Sequence, residues 1–167
     1  MIFIGDYFAI GLVIILCIFF FDSKTSIRFM PVSSKLFVCC LVTTALTSFT
    51  DLITVQLLAA EAVPLWQHLL ANSLYFLINI ITTTFIALYM FVKILEHTHA
   101  RHCMRNACIG LTVLFVGYTG CVVANIWTGW LFYFDAAGNY FRGPLNALGY
   151  AVTLAQLVLV GICFFRN

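Results

Sequence analysis

The chain has 167 residues, of which 63% are hydrophobic and only 8% are charged, and its mean hydropathy is +1.08. Soluble domains carry about 25% charged residues, so this chain has too few charges to cover a surface in contact with water. The composition therefore excludes a soluble globular protein. A helix of about 20 apolar residues is enough to cross a bilayer, and uncharged stretches of that length recur along the chain, which predicts an all-α integral membrane protein.

Five transmembrane helices joined by short loops are predicted. They cover residues 2–21, 36–60, 68–95, 107–133 and 144–165. The first helix has no positively charged segment before it and no small-residue cleavage site after it, so it is expected to remain a span rather than to be removed as a signal peptide. Residues 1–167 are expected to form a single membrane domain. Because the chain stops directly after the fifth span, it is expected to be a fragment of a longer protein.

The basic residues are predicted to lie almost entirely on one side of the membrane. Seven of the eight flank the first or third loop or follow the fifth span, and only Arg142 lies on the other side. Short loops rich in Lys and Arg stay on the cytoplasmic side, so the N-terminus is predicted outside and the C-terminus inside. Trp66, Trp127 and Trp130 fall at the outer ends of the predicted spans, as expected for an aromatic belt at the membrane interface.

Polar side chains recur at helical spacing in the second and third spans. They are Thr44, Thr47, Asp51 and Thr54 in the second, and Asn72, Tyr75, Asn79 and Thr82 or Thr83 in the third. An antiparallel hairpin of helices turning near Pro64 would place Asp51 level with position 77. An ionisable side chain inside a span is unfavourable, so Asp51 is predicted to be the charged or titrating member of a pocket open to the outside. The alternative is that these polar residues only hold the helices together.

If the fourth and fifth spans also form an antiparallel helical hairpin, with its turn near Asn139, Asn125 lies level with Thr153. Tyr150 and Gln156 would then lie one turn to either side of Thr153. The two helical hairpins thus offer polar side chains in the outer half of the bilayer.

The last outer loop is predicted to form a short β-hairpin over the outer mouth, because aromatic segments flank the turn-rich residues 135–139. Pro144 suits the first turn of the fifth helix, where its missing N–H is harmless. Arg142 is the sole outer cation. It is expected either to anchor an acidic ligand or to pair with Asp135, Glu61 or lipid headgroups.

The segment His97–Cys108 offers three histidines and two cysteines within twelve residues. Metal binding is one interpretation, but the spacing matches no standard zinc pattern. A basic cytoplasmic loop near anionic headgroups is the favoured alternative. No metal site and no cofactor are therefore predicted.

Three segments carry a resemblance to a known family. They are Asn-Ile-Trp-Thr-Gly at 125–129, Phe-Tyr-Phe-Asp at 132–135 and Tyr-Phe-Arg-Gly-Pro-Leu at 140–145, with Asp51 and residues 72–79 as weaker matches. In these segments the chain resembles the multi-pass N-terminal sensor regions of bacterial signalling proteins that continue into a cytoplasmic GGDEF (diguanylate cyclase) domain. Those regions are similar in turn to the seven-span sensor regions of some histidine kinases.

The resemblance implies a signal-input module in the bacterial cytoplasmic membrane. The module would bind an unidentified external small ligand and relay its presence, through two further spans, to an output domain that makes cyclic di-GMP. A homodimer would form through that output domain, and no nucleic-acid partner is expected. The expected ligand-binding residues are Asp51, Tyr75, Asn79, Asn125, Trp127, Tyr140 and Arg142.

Two other classes of function remain alternatives. The chain contains no GGDEF, HExxH or GxSxG motif and no phosphate-binding glycine loop, so these 167 residues are not predicted to be an enzyme. A small transporter or channel subunit would use the same polar stripe to line a path. Transporters tend to show internal repeats and broken helices, which the sequence lacks, so the input module is favoured.

Overall fold

The computed structural model describes residues 11, 13–16, 18, 31–60, 63–97, 101–135 and 138–165. Four helices and one β-hairpin follow one another in these ranges. They are α1 (Val32–Ala59), α2 (Leu65–His97), α3 (Arg101–Thr128), β1 (Phe132–Phe134), β2 (Tyr140–Arg142) and α4 (Leu148–Phe165). The predicted first span, residues 2–21, lies outside the described residues except at positions 11, 13–16 and 18.

Each of the four helices contains a segment long and apolar enough to cross a membrane. The mean hydropathies of these segments are 1.9 to 2.1, and only 17 to 22% of the residues in them are buried inside the protein. Apolar surface left uncovered on this scale fits contact with lipid. The described residues therefore contain four of the five predicted helices, and their composition and length fit a multi-pass membrane protein.

The observed ends of the two helices on either side of the β-hairpin differ from the predicted ones. The fourth predicted span, 107–133, was too long, because α3 ends at Thr128 and Gly129 follows it with a positive φ of 64°. A left-handed glycine commonly terminates a helix. The fifth helix begins at Leu148 rather than at 144, so Pro144 lies in the turn before α4 and not in its first helical turn.

Helix α2 is the centre of the bundle, because it packs against α1, α3 and α4. It forms an antiparallel pair with α1, and the hydroxyls of Thr47 and Thr82 are hydrogen-bonded across this pair at 2.9 Å. Counting along both helices from this bond places Asp51 level with position 78. The predicted register of the first helical hairpin therefore agrees with the structure to within one residue.

Two apolar clusters hold α2, α3 and α4 together. The cluster beside the β-hairpin contains Ile80, Tyr118, Val122, Leu131, Phe132 and Val152, and the cluster at the opposite end contains Ala87, Phe91, Ala107, Leu111, Val160 and Cys163. Between the two clusters, the buried side-chain amide of Gln156 donates a hydrogen bond of 2.9 Å to the hydroxyl of Thr84. Among the described residues, this polar contact therefore lies between two apolar layers of the core. The end of the bundle beside the β-hairpin is called the hairpin end below.

The predicted β-hairpin is present, and its turn is closed by one carboxylate. Asp135 accepts hydrogen bonds from the backbone N–H of Asn139 at 2.8 Å and from the side-chain amide of the same residue at 2.9 Å. Gly138 has a positive φ of 81°, which glycine adopts without steric penalty. Asp135, Gly138 and Asn139 thus form the part of the predicted turn that the structure describes.

The hairpin has one face toward the bundle and one face away from it. Successive residues of a strand alternate between faces, and residues directly opposite each other in an antiparallel pair share a face. From the observed pairing, the residues of the bundle-facing side are Phe132, Phe134, Tyr140 and Arg142. The ring of Phe132 stacks there on Phe76 of α2, with centroids 5.4 Å apart. Tyr133 and Phe141 stack on each other on the other face and are 46% and 43% exposed.

The base of the hairpin is closed by direct backbone contact. The N–H of Gly143 donates to the carbonyl of Leu131 at 2.9 Å, and the N–H of Leu145 donates to the carbonyl of Trp130 at 2.8 Å. A Cβ atom at position 143 would collide with the carbonyl oxygens of Gly129 and Trp130. The absence of a side chain at Gly143 is therefore what allows the two ends of the hairpin to meet.

Candidate functional site

A cavity of about 220 Å³ lies at the hairpin end, where the bundle-facing side of the hairpin meets α2, α3 and α4. Aromatic and polar side chains dominate its walls. The lining residues are Tyr75, Phe76, Asn79, Tyr118, Tyr140, Arg142, Asn146, Gly149, Tyr150 and Thr153. This cavity is called the tyrosine cavity below, after its four phenols. Pockets that bind drug-sized molecules run from about 300 to 1,000 Å³, so this one is sized for a smaller molecule.

The tyrosine cavity brings together four of the predicted ligand-binding residues. These are Tyr75, Asn79, Tyr140 and Arg142. They come from the third predicted span and from the β-hairpin, which are far apart in the sequence. The remaining three predicted residues, Asp51, Asn125 and Trp127, do not line this cavity.

Asp51 is half-buried on α1, at the depth of Asn79 but outside the lining of the tyrosine cavity. The threonines around it bond largely to their own helix: Thr47 donates to the carbonyl of Thr43 at 2.9 Å, and Thr54 donates to that of Thr50 at 2.8 Å. Among the threonines of this stripe, within the part of the chain that the structure describes, Thr47 also bonds across to Thr82 of α2. This part of the stripe therefore contains the interhelical contact that the alternative interpretation predicted.

Asn125 is 2% exposed and connects the end of α3 to the hairpin. Its side-chain oxygen accepts hydrogen bonds from the backbone N–H groups of Leu131, at 2.6 Å, and Phe132, at 3.3 Å. Its side-chain amide donates to the carbonyl of Phe132 at 3.0 Å. The side chain thus satisfies three backbone groups just beyond a helix end, where such groups otherwise lack partners.

The predicted placement of Asn125 level with Thr153 was wrong. A Cβ on Gly149 would lie 2.7 Å from the hydroxyl of Tyr118, and a Cβ on Gly110 would lie 3.1 Å from Leu159. These contacts between α3 and α4 place Asn125 level with the base of the hairpin instead. The error arose because the prediction set the two helices symmetrically about Asn139, whereas Gly143 lies against the backbone of Gly129 and Trp130 and the chain continues from there to Leu148 before α4 begins.

Trp127 is 78% exposed and lies on the outside of the hairpin end. It borders a second, more apolar cavity of about 510 Å³ between the hairpin and the ends of α2 and α3. Trp66 and Trp130 are also exposed at this end, by 61% and 48%. Exposed tryptophans gathered at one end of a bundle are typical of residues at a membrane interface.

Tyr140 lies in the wall of the tyrosine cavity together with Asn146. The Asn146 amide donates a hydrogen bond of 2.9 Å to the carbonyl of Leu131. Burial raises the pKa of the Tyr140 phenol above its ordinary value of 10.0, although the nearby Asn146 amide and the charge of Arg142 act in the opposite direction. The phenol is therefore protonated at neutral pH and available as a hydrogen-bond donor.

The raised pKa of Tyr140 predicts a loss of stability at alkaline pH. A group whose pKa is higher in the folded protein than in the unfolded chain stabilises the fold below the unfolded value, near 10, and this contribution is lost as the pH rises through the folded value. We expect the wild type to lose more stability than Tyr140→Phe between about pH 9 and pH 12. Thermal unfolding across this range measures the difference, and parallel curves for the two proteins would contradict it.

Six of the ten lining residues were not among the predicted ligand-binding residues, namely Phe76, Tyr118, Asn146, Gly149, Tyr150 and Thr153. The register predicted for α3 and α4 did not bring together three of these, which are Tyr118, Asn146 and Gly149. Gly149 has a specific role, because the Tyr118 hydroxyl occupies the position next to its Cα that a side chain would need. A tyrosine in the middle of a predicted span was the available signal for Tyr118.

The grouping of phenols, amides and one guanidinium provides both donors and acceptors for a small polar molecule. Within the described ranges, no three His, Cys, Asp or Glu side chains converge on a metal-sized site. Most side chains of the His97–Cys108 segment lie outside the described residues. Glu61, one of the partners considered for Arg142, also lies outside them.

Comparison of the chain with models of protein families, with curated proteins and with solved structures finds no match.

Proposed function

We propose that the chain is a membrane-embedded signal-input module that binds a small ligand in the tyrosine cavity. The single observation that carries this proposal is the meeting of Tyr75, Asn79, Tyr140 and Arg142 in one cavity of limited size. Phenols, a side-chain amide and a guanidinium that face one cavity offer a small polar molecule both hydrogen-bond donors and acceptors. A few polar groups converging on one cavity are typical of a small-molecule site.

The hairpin end is proposed to face the outside of a bacterial cytoplasmic membrane. Seven of the eight basic residues fall on the opposite side in the predicted topology, which is the side retained in the cytoplasm. The exposed Trp66, Trp127 and Trp130 support an interface at the hairpin end. A ligand would then reach the cavity from outside, and its effect would be read in the cytoplasm.

The bound ligand is proposed to act on the packing of α4 against α2. The cavity contacts both helices, and Gln156, which bonds Thr84 of α2, lies one helical turn beyond Thr153 in the cavity wall. A ligand shifts such an equilibrium only by binding one packing more tightly than the other. From the resemblance noted in the sequence, we propose that the output domain is a diguanylate cyclase, which forms the homodimer.

The proposal is tested by filling the cavity. Thr153 lines it and otherwise only donates to the carbonyl of Gly149 on its own helix, at 3.0 Å. The matched control is Thr112, which donates to the carbonyl of Cys108 at 2.8 Å on the exposed face of α3. Thr153→Phe and Thr112→Phe therefore remove the same kind of bond, but only the first is expected to occupy the cavity.

The measurement is thermal unfolding of the full chain in phosphatidylcholine nanodiscs against a library of small metabolites. A ligand present at about 100 times its Kd adds about 2.7 kcal/mol to the stability of the folded state. We expect at least one compound to stabilise the wild type and Thr112→Phe but not Thr153→Phe. A library without any stabilising compound, or stabilisation that survives in Thr153→Phe, would remove the support for this site. Flux of that compound across proteoliposomes would favour a transporter instead.

A further inference from the structure

The charge inside the tyrosine cavity indicates the chemical class of its ligand. Among the described residues that line the cavity, Arg142 alone carries a formal charge. We propose that the ligand is a small aromatic carboxylate whose carboxylate group binds Arg142 and whose ring lies among the tyrosines. This inference rests on the proposed function, because it names the ligand class of the same cavity.

The orientation of Arg142 is the first step. Arg142 lies opposite Phe132 in the hairpin pairing, and opposite residues share a face. Because Phe132 is fully buried against the bundle, Arg142 lies on the bundle-facing side rather than on the side of Tyr133 and Phe141. The guanidinium is therefore set toward the cavity, although the residue as a whole remains exposed enough to be reached.

The chemistry of a guanidinium is the second step. Arginine presents its N–H groups in a planar fork that matches the two oxygens of a carboxylate, and such charge-assisted pairs are stronger than neutral hydrogen bonds. The attraction is greater where water is partly excluded. The phenols of Tyr75, Tyr118, Tyr140 and Tyr150 add neutral donors that an anion can accept from.

The walls of the cavity are the third step. Five of the ten lining residues are aromatic, namely Tyr75, Phe76, Tyr118, Tyr140 and Tyr150. Aromatic walls favour a flat ring through stacked and edge-to-face contacts. Gly149 contributes a stretch of bare backbone against which the Tyr118 hydroxyl lies. With about 220 Å³ and one cation, the cavity suits one carboxylate on one ring rather than a longer or multiply charged molecule.

The test uses three probes that separate charge from ring. Benzoate has both features, benzamide keeps the ring without the charge, and acetate keeps the charge without the ring. Binding of each probe to the full chain in phosphatidylcholine nanodiscs is measured by calorimetry. We expect benzoate to bind at least about tenfold more tightly than either of the other probes. Benzamide lacks the charge-assisted pair with Arg142, and acetate lacks the buried ring, and either loss predicts a difference of this size.

Variants of Arg142 then show whether this residue is responsible for the tighter binding of benzoate. Arg142→Gln is expected to weaken benzoate binding about tenfold or more while changing benzamide binding less than about threefold. Arg142→Lys keeps the charge without the planar fork, so its affinity for benzoate is expected to lie between those of the wild type and Arg142→Gln. Arg105→Gln, at an exposed arginine of α3 at the opposite end of the bundle, is the matched control and should bind benzoate as the wild type does. The unchanged binding of benzamide shows that Arg142→Gln is folded.

The possible outcomes separate this inference from the proposed function. Equal binding of benzoate and benzamide, or of benzoate and acetate, would overturn the proposal that the ligand is an aromatic carboxylate. If neither benzoate nor benzamide binds, but a library compound stabilises the wild type and not Thr153→Phe, the proposed ligand class is wrong and the proposed function as an input module is still supported. If no compound binds the cavity at all, the proposed function fails with it. If phosphatidylglycerol in the nanodisc abolishes benzoate binding through Arg142, that cation serves a lipid headgroup, which also overturns the inference.

Discussion

Gly143→Ala is expected to lower the free energy of unfolding by about 3 kcal/mol, because overpacking against rigid neighbours has effects of this size. The added Cβ would collide with the carbonyl oxygens of Gly129 and Trp130. Backbone carbonyls cannot rotate away as the end of a flexible side chain can. To relieve the collision, the hairpin must open at its base, which breaks the hydrogen bond from Gly143 to Leu131. Thermal unfolding in detergent micelles measures the loss.

The same substitution in α4 provides the control. A Cβ at Gly161 would have no heavy atom within 4 Å, and alanine is about 0.5 to 1 kcal/mol more favourable than glycine inside a helix. Gly161→Ala should therefore leave the protein as stable as the wild type or slightly more stable. If the two alanine variants had similar stabilities, the close contact at the base of the hairpin would not be needed for folding.

Asn125→Ala is expected to lower the free energy of unfolding by about 4 kcal/mol. The substitution leaves the backbone N–H groups of Leu131 and Phe132 and the carbonyl of Phe132 without their present partner. A buried polar group deprived of its partner is destabilising by about 1 to 3 kcal/mol. Leu131 and Phe132 are both fully buried, so water cannot readily replace the lost amide.

Asn106→Ala is the matched control, since Asn106 lies on the same helix and is exposed. Exposed substitutions away from specific contacts usually change stability by less than about 0.5 kcal/mol. Thermal unfolding of both variants gives the comparison. Equal stabilities would show that the hairpin is held by its aromatic packing alone, and Asn125 would then be available for the ligand role predicted from the sequence.

The helices were predictable because their signal is compositional. Uncharged stretches of membrane length gave α1, α2, α3 and α4 with ends a few residues from those observed. The pairing of α1 with α2 was also predictable, because the loop between them is short and both helices continue to its edges. The bond between Thr47 and Thr82 places the pair within one residue of the expected register.

The candidate site was predictable only in part, for a reason specific to the hairpin. Tyr75 and Asn79 were identified from their spacing on a continuous helix, and Tyr140 and Arg142 from their place in an unusual loop. Tyr118 and Asn146 were missed because the end of α3 at Gly129 is set by a backbone conformation that apolar periodicity does not reveal.

The two-residue alternation of the hairpin has a consequence for how the cavity obtains its charge. If β2 slipped by one position against β1, Phe141 would turn toward the bundle, while Tyr140 and Arg142 would turn away from it. A slipped hairpin would still present aromatic rings to the core, so packing alone discriminates weakly against it. The bonds from Asn139 to Asp135 at the turn and from Gly143 to Leu131 at the base fix the correct pairing. Contacts outside the lining of the cavity therefore decide whether a cation lies among the tyrosines.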